Sequence, residues 1–310
     1  MTIGVAIALY NGEKFIREQL DSIREQTVSP DMVVMCDDGS KDKTVEAVEG
    51  YIEEFSLSET WKIIKNDKNL GYARNFYKAM SLCNTDLIFL CDQDDVWCND
   101  KIEKMRSVME QRSDILVLAS KFGMIDGEGN EMHGVLERRA KETGELREIN
   151  HLDLLKAYYW PGMIMCVRKS FFDDICELVN SHAVAHDRVL AHFAAEKKGF
   201  FEYDYIGAYH RRHGNNTANE EHRIFKLLNR QRKLRDMRDH SEMLKGLLEI
   251  ELPFSKESVA FIQESLNLSL AREQAVADRD KKKLKEVYKN KEMTRKISYI
   301  CDLWLIYLGK

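Results

Sequence analysis

Five carboxylates fall into two short clusters, Asp37-Asp38 within VVMCDDGS and Asp92, Asp94 and Asp95 within LIFLCDQDDVW, and each cluster ends an apolar run. Carboxylates set this close repel one another, and the arrangement persists only where a cation or a donor network compensates. A divalent metal is the natural compensation. Aspartate oxygens suit Mg²⁺ or Mn²⁺, which bind substrate phosphates beside one or two protein carboxylates. Two readings stay open for each cluster. Asp94-Asp95 either belongs to such a site or caps the next helix. Asp37-Asp38-Gly39-Ser40 is either an ordinary loop with a capping residue or an acid that accepts hydrogen bonds from a ribose or a base. Two later groups carry chemistry as well. His186-Asp187 opens a helix and places an acid in its first turn, where the helix dipole favours it. The string HRRHGNN, from His210 to Asn216, could complete a metal shell or grip a diphosphate, or be a solvated loop.

The elements that must position these groups alternate. Ile3 to Leu9 reads as a strand, Glu13 to Gln26 as a helix with apolar residues at helical spacing, and Met32 to Cys36 as the next strand. Ser40 or Asp42 could cap a helix running through Ile52. Trp61 to Ile64, Gly71 to Cys83 and Leu87 to Cys91 continue the series as strand, helix and strand. Such alternation implies right-handed crossovers and a largely parallel sheet covered on both faces, with the ligand crevice beyond the carboxyl ends of the strands. Both acidic clusters fall at that edge. Beyond Trp97 the pattern loosens: a helix from Asn99 to about Arg112, a strand at Ile115 to Phe122, a short helix at Leu152 to Tyr158, a turn at Trp160-Pro161-Gly162, and strands at Met163 to Val167 and Tyr203 to Tyr209. The sheet is therefore expected to become mixed. From about residue 218 long amphipathic helices take over, which places a boundary between residues 1–217 and 218–310.

Bulk composition narrows the class. With 310 residues, 44% hydrophobic and only 3 prolines, the chain can bury a proper core. A net charge of -5 argues against a nucleic-acid binder, which leans on clustered Lys and Arg. The 7 scattered cysteines read as reduced core residues of a cytoplasmic protein rather than a disulfide framework. No apolar run reaches the roughly 18 residues of a spanning helix. Neither GxGxxG nor GxxxxGK[ST] occurs, which disfavours a Rossmann dinucleotide site and a P-loop.

Taken in order, VAIALYNGEKFIREQLDSIREQT, VVMCDDGSKDKT, NLGYARNF and LIFLCDQDDVW resemble the N-terminal half of family 2 glycosyltransferases, which have the GT-A fold. The DQDDVW form, with the later HD pair and HGNN string, is most similar to the rhamnosyltransferase-like branch. The resemblance covers residues 3 to 217. It implies an α/β GT-A domain with a mostly parallel central sheet flanked by helices, and a helical C-terminal extension. It implies that Ala8, Tyr10 and Asn11 shape a nucleoside pocket, that Asp37 and Asp38 contact base or ribose, and that Arg74 lies near the donor. Asp92 and Asp94 correspond to the DXD pair, Asp92 towards the ribose and Asp94 on Mn²⁺ or Mg²⁺. Asp187 takes the position of the catalytic base, with His186 beside it on the acceptor side. Arg211 and His213 align with an RxH pattern, as a phosphate contact and a metal or phosphate contact. Trp160, Gly162 and Met163 border the acceptor pocket, although Trp160 could equally be a core aromatic. Where the family usually has Pro-Thr before the Tyr-Asn, Ala8-Leu9 stands here.

The function implied is an inverting, metal-dependent transfer of a sugar from a UDP- or dTDP-linked donor to a glycan or lipid-linked acceptor, as in cell-surface polysaccharide synthesis. A sugar nucleotidyltransferase, a phospho-acceptor receiver domain and a non-catalytic nucleotide- or metal-binding protein are the alternatives. In the C-terminal part Ile224, Leu227, Leu228, Leu234, Met237, Leu244 and Leu248 recur at helical spacing. Those helices pack on the first domain or on a second subunit, or they touch a membrane through basic residues, Trp304 and Tyr307.

Overall fold

A computed structural model describes residues 1–132, 142–156, 160–180, 185–213, 229–249, 254–289 and 296–307. Gly214 to Asn216, and the apolar positions Ile224, Leu227 and Leu228, lie outside them. The chain divides into two compact units, one of residues 1–149 and 160–212, the other of residues 150–159 and 213–310.

The first unit is built on a nine-stranded sheet whose four leading strands are parallel. β1 (Ile3–Leu9) lies between β2 (Met32–Asp37) and β4 (Leu87–Asp92), and β3 (Trp61–Lys65) pairs with β2 on the outside. The inner strands do not alternate in polarity: from Ile3 to Ile7 and from Leu87 to Cys91 every residue is buried, as it must be where helices cover both faces. The connecting helices are α1 (Ile16–Arg24), α2 (Thr44–Glu54) and α3 (Tyr72–Leu82). Registry aligns the strand ends: Ala8 lies opposite Cys36 on one side and Asp92 on the other, and Leu9 lies opposite Asp37.

Beyond β4 the sheet becomes mixed, as expected. β8 (Met165–Arg168) runs antiparallel to both β4 and β6 (Val117–Ile125), and β9 (Phe200–Arg211) runs parallel to β6. Of the two readings of Asp94-Asp95, helix capping falls: the chain first enters a two-residue strand, β5 (Val96–Trp97), that pairs antiparallel with β9, and α4 (Lys101–Gln111) follows close to where the sequence places a helix from Asn99. The acidic turn is thus fixed by sheet pairing and does not cap a helix. A third short strand, β7 (Leu146–Glu148), also joins β9. The turn after Trp160 is a 3-10 helix, Gly162–Ile164, so the strand expected from Met163 starts two residues later at Met165. α6 (Lys169–Asn180) and α7 (His186–Glu196) complete this unit.

The second unit is helical in its described residues: α5 (His151–Lys156), α8 (Arg230–Glu249), α9 (Lys256–Ala277), α10 (Lys281–Val287) and α11 (Lys296–Tyr307). Met237, Ala275, Val276, Leu284, Leu305 and Ile306 form its core. Asp302, fully buried there, accepts from Arg272 (2.9 Å) and from the Tyr288 hydroxyl (2.7 Å). Among the described residues no helix is long and apolar enough to cross a membrane.

Candidate active site at the carboxyl edge of the sheet

The loops that leave β1, β2 and β4 are laced together by side chains. Asn11 sits in the left-handed region (φ 51), where a short polar side chain can bond locally, and its Oδ1 accepts the Lys41 amide at 2.7 Å. In return the Ser40 hydroxyl accepts the Asn11 amide (2.9 Å), and the Thr44 hydroxyl accepts the Gly12 amide (2.7 Å). From the third loop, Gln93 Oε1 accepts the Tyr10 amide (2.9 Å) while its Nε2 donates to the Tyr10 carbonyl (2.8 Å). Gly12 leaves room for that contact, because a Cβ there would lie 2.3 Å from Gln93 Oε1 and displace its side chain. Tyr10 itself points outward, half exposed.

Asp37 and Asp38 are engaged within the fold. Asp37 closes its own turn, accepting the Gly39 and Ser40 amides at 3.1 Å and the Ser40 hydroxyl. Asp38, 3% exposed, accepts the Leu70 amide (2.7 Å), the Gly71 amide (2.8 Å) and Asn66 Nδ2 (2.9 Å). It therefore pins the loop that enters α3 at Gly71, whose φ of +81 a side chain would strain. Arg74 is exposed on the first turn of that helix.

The acidic turn after β4 is satisfied less completely. Asp95 is fully buried; its Oδ1 accepts the Arg211 amide and faces His210 Nδ1, both at 2.9 Å, while its Oδ2 has no hydrogen-bond partner among the described residues. Burial pulls the His210 imidazole down, but the Asp95 hydrogen bond and the charges of Asp95, Asp92 and Asp94 outweigh it and hold His210 above its ordinary value. Asp92 is pushed well above the usual carboxylate range, first by burial and then by Asp95 and Asp94; Asp187 adds to the effect from α7. Asp92, Asp94, Asp95 and Asp187 thus share one electrostatic neighbourhood.

Arg211 lies under this turn, 1% exposed, and not at its surface. Its Nε donates to the Asp94 carbonyl (2.9 Å), its Nη2 pairs with Glu18 (2.6 Å), and its guanidinium lies over the Phe15 ring at 5.0 Å. It supports the acidic turn from beneath, engaged within the fold at the position that the resemblance gives to a phosphate contact. His213, two residues past β9, belongs to the second unit.

On the acceptor side, His186 is 4% exposed and stacks on Phe76 with ring centroids 3.9 Å apart. Burial lowers its pKa and keeps the ring neutral. Asp187 follows it in the first turn of α7 and is partly exposed, its Oδ1 accepting the Arg188 amide at 2.7 Å. A Cβ at Gly162 would meet His186 Nε2 at 2.6 Å, so the turn bearing Gly162 and Met163 packs directly on this imidazole. Trp160 is a core aromatic at 5% exposure, donating to Glu202 at 2.7 Å.

The residues present fit a hard divalent cation of the kind that takes one or two protein carboxylates and leaves its other positions to water and phosphate. Asp92 and Asp94 supply those carboxylates, and the raised Asp92 pKa marks a charge that a cation would relieve. Among the described residues no cluster of three or more ligating side chains forms a closed cage. Gln93, Ser40 and Thr44 carry the lacing of the site and were not legible as site residues. The Gln between the aspartates of DQDD was the one signal available for Gln93.

With that geometry in place, the chain's relations are clear in class. Residues 4–175 match Glycosyl transferase family 2, and the chain belongs to that family. It is 30% identical over 149 residues to the uncharacterized glycosyltransferase MJ1057 of Methanocaldococcus jannaschii, covering 47% of this chain and 49% of that protein. It is 41% identical over 103 residues to the dTDP-rhamnosyl transferase RfbG of Shigella flexneri (31% and 34%), and 27% identical over 117 residues to the abequosyltransferase RfbV of Salmonella typhimurium (37% and 34%). The match thus spans half or less of each of these relatives. Among solved structures, S. aureus TarS 1-349 in complex with UDP-GlcNAc aligns with a TM-score of 0.56 at 20% identity, covering 94% of this chain and 79% of that one. GalNAc-T7 with UDP, GalNAc and Mn²⁺ aligns at 0.54 and 13% identity, covering 86% and 55%. The fold expected from the sequence is the one these structures share.

Proposed function

We propose that the protein is an inverting glycosyltransferase that moves a sugar from a nucleoside diphosphate sugar to a hydroxyl of a glycan or lipid-linked acceptor, in the building of cell-surface polysaccharide. What supports this reading is the family match over residues 4–175, together with the charge of Asp187 on α7 that reaches Asp92 in the acidic turn after β4. Asp187 takes the proton of the acceptor hydroxyl as that oxygen attacks the anomeric carbon, and the bond from that carbon to the diphosphate breaks, so the nucleoside diphosphate leaves. A divalent cation, Mn²⁺ or Mg²⁺, would be held by Asp94 with Asp92, and bound there it would stabilise the charge of the departing diphosphate. The half-exposed Tyr10 offers a face to the base, with Ala8 and Asn11 beside it, and Arg74 is the cation we assign to the diphosphate.

RfbG, named as a dTDP-rhamnosyl transferase, and the UDP-bound neighbours support dTDP- and UDP-linked donors, with dTDP-rhamnose tried first. The helical C-terminal part, residues 218–310, is assigned to pairing with a second copy or to contact with the cytoplasmic face of a membrane. Ile300, Trp304 and Tyr307 are exposed at successive turns of α11 and would serve either role.

Release of nucleoside diphosphate from a panel of UDP- and dTDP-sugars, with Mn²⁺, with Mg²⁺ and with chelator, tests the reading. Turnover of at least one donor that stops on chelation is expected, and no binding or turnover of any donor would sink it. Asp187→Asn is expected to keep nucleotide binding and to lower turnover by about 10²- to 10⁴-fold. Full activity in that variant would remove Asp187 from the role of base.

A further inference from the structure

Lys101 opens α4 and is completely buried. Its Nζ donates to the Met163 carbonyl at 2.7 Å and lies 3.6 Å from the centre of the Trp97 ring. Among the described residues no carboxylate lies within ion-pair distance of it. A buried amine held by one neutral acceptor and one ring is costly, and a Leu or Met would fill the same volume with no charge to desolvate. Features that cost stability concentrate where function requires them.

Both partners of Lys101 lead to the site. Trp97 is two residues from Asp95 in β5, whose pairing with β9 fixes the acidic turn. Met163 is the middle residue of the 3-10 turn whose first residue, Gly162, packs against His186. His186 has little room to withdraw, because its other face lies on Phe76 at 3.9 Å. Contacts therefore run from Asp95 through Trp97, Lys101, Met163 and Gly162 to His186 and Asp187.

We propose that Lys101 is a positioning residue that ties the acidic turn to the acceptor-side turn, so that Asp187 is held at a set place relative to Asp92 and Asp94. The catalytic consequence rests on the glycosyltransferase reading; the mechanical link does not. Burial drops the Lys101 ammonium to about 7, opposed by Cys91, Cys98, Asp95 and Cys166, the titratable groups around it. An opening that frees the amine returns it to its ordinary range, so the link opens more easily below about pH 7 than above it.

Hydrogen exchange of the full chain tests the link without any substrate. In Lys101→Met, amides of 160–168 and 185–190 should exchange about fivefold faster, while those of β1 and β2 stay unchanged. Gly162→Ala, which presses on His186 from the far end, should loosen 185–190 in the same way. In wild type, protection of 160–168 beyond the intrinsic pH effect should rise between pH 6 and 8, and that rise should be absent from Lys101→Met. Unchanged exchange at 160–168 in Lys101→Met would overturn the proposal. In the catalytic arm, the UDP or dTDP dissociation constant with Mn²⁺ should stay within about twofold, and donor turnover should drop on the order of 10²-fold. Equal loss of nucleotide binding and turnover would show a general structural role and overturn the positioning role. Failure of wild type to bind any donor would end the functional reading, and the exchange arm would still decide the link.

Discussion

The two acidic clusters at the carboxyl edge of the sheet look alike in sequence and differ in what their charges do. Asp37 and Asp38 accept the amides of Gly39, Ser40, Leu70 and Gly71, so their charges are compensated by backbone dipoles. Across β1, the acidic turn after β4 keeps Asp92 well above the carboxylate range and leaves Asp95 Oδ2 buried without a hydrogen bond among the described residues. A satisfied acid organises the loops, whereas a cluster that holds Asp92 above the carboxylate range carries charge that a cation would relieve. The same sequence signal, aspartates after an apolar strand, therefore marks a scaffold in one loop and a candidate reaction site in the other.

Exchanging each acid for alanine should separate the two roles. Asp94→Ala is expected to lower metal-dependent donor turnover on the order of 10³-fold and to weaken Mn²⁺-dependent UDP binding, while the urea midpoint of the metal-free protein hardly moves. Asp38→Ala should do the reverse in its primary effect. It strands two amides and a carboxamide in a site that is 3% exposed, and stability should fall by about 2–4 kcal/mol in urea unfolding. If Asp38→Ala unfolds like wild type but loses nucleotide affinity, Asp38 faces the ligand and the contrast collapses.

How much of this could be read from residues alone follows from the same physics. The strands β1, β2 and β4 and their helices were legible because unbroken apolar runs followed by turn residues have one common solution in a parallel sheet. The position of both clusters at one edge followed directly. The partners did not. A carboxylate reports its charge in the sequence but not which amides reach it, and Asp38 meets Leu70 and Gly71 more than thirty residues away. The resemblance names Arg211 as a phosphate contact, but nothing in the sequence shows that Glu18 and the Asp94 carbonyl hold it inside the fold. β5 escaped detection because two residues carry no periodicity. Nothing in the sequence marks Lys101, and only its partner Met163, from a distant turn, shows that it is buried.

Lys101 sharpens the comparison from the basic side, as a buried charge held by neutral partners. An unfolded lysine titrates near 10.4, whereas this one titrates at about 7 in the folded chain. Between those values the unfolded chain carries the proton and the folded chain does not, so the contribution of Lys101 to stability rises with pH across that window. Below about pH 7 both states are charged and the folded state carries the full desolvation cost. Lys101→Met removes that cost and is expected to raise Tm by roughly several degrees at pH 6. The gap should shrink by pH 9 and give way to the loss of the Met163 hydrogen bond above about pH 10. Parallel melting curves from pH 6 to 10 would show that the amine titrates in the fold as it does in the unfolded chain.

The smallest expected effect probes the lacing that holds the two clusters in one frame. Gly12→Ala puts a methyl group 2.3 Å from Gln93 Oε1, and Gly12 is outside the positive-φ region, so the backbone tolerates alanine and the side chain of Gln93 must yield. Gln93 would then release Tyr10, whose amide and carbonyl it now holds at 2.9 and 2.8 Å. Nucleotide affinity, read by calorimetry with UDP and Mn²⁺, should fall by about three- to tenfold, the scale of one or two neutral hydrogen bonds. Gln93→Ala removes the same hydrogen bonds without the clash and should give a similar loss. The double variant should bind no worse than Gln93→Ala alone, because the methyl group then has nothing to strike, and the two losses should not add. Additive losses would place the effect of Gly12 elsewhere and leave the acidic turn and the β1 loop as independent pieces, so that disturbing one loop would leave the other's share of the affinity intact.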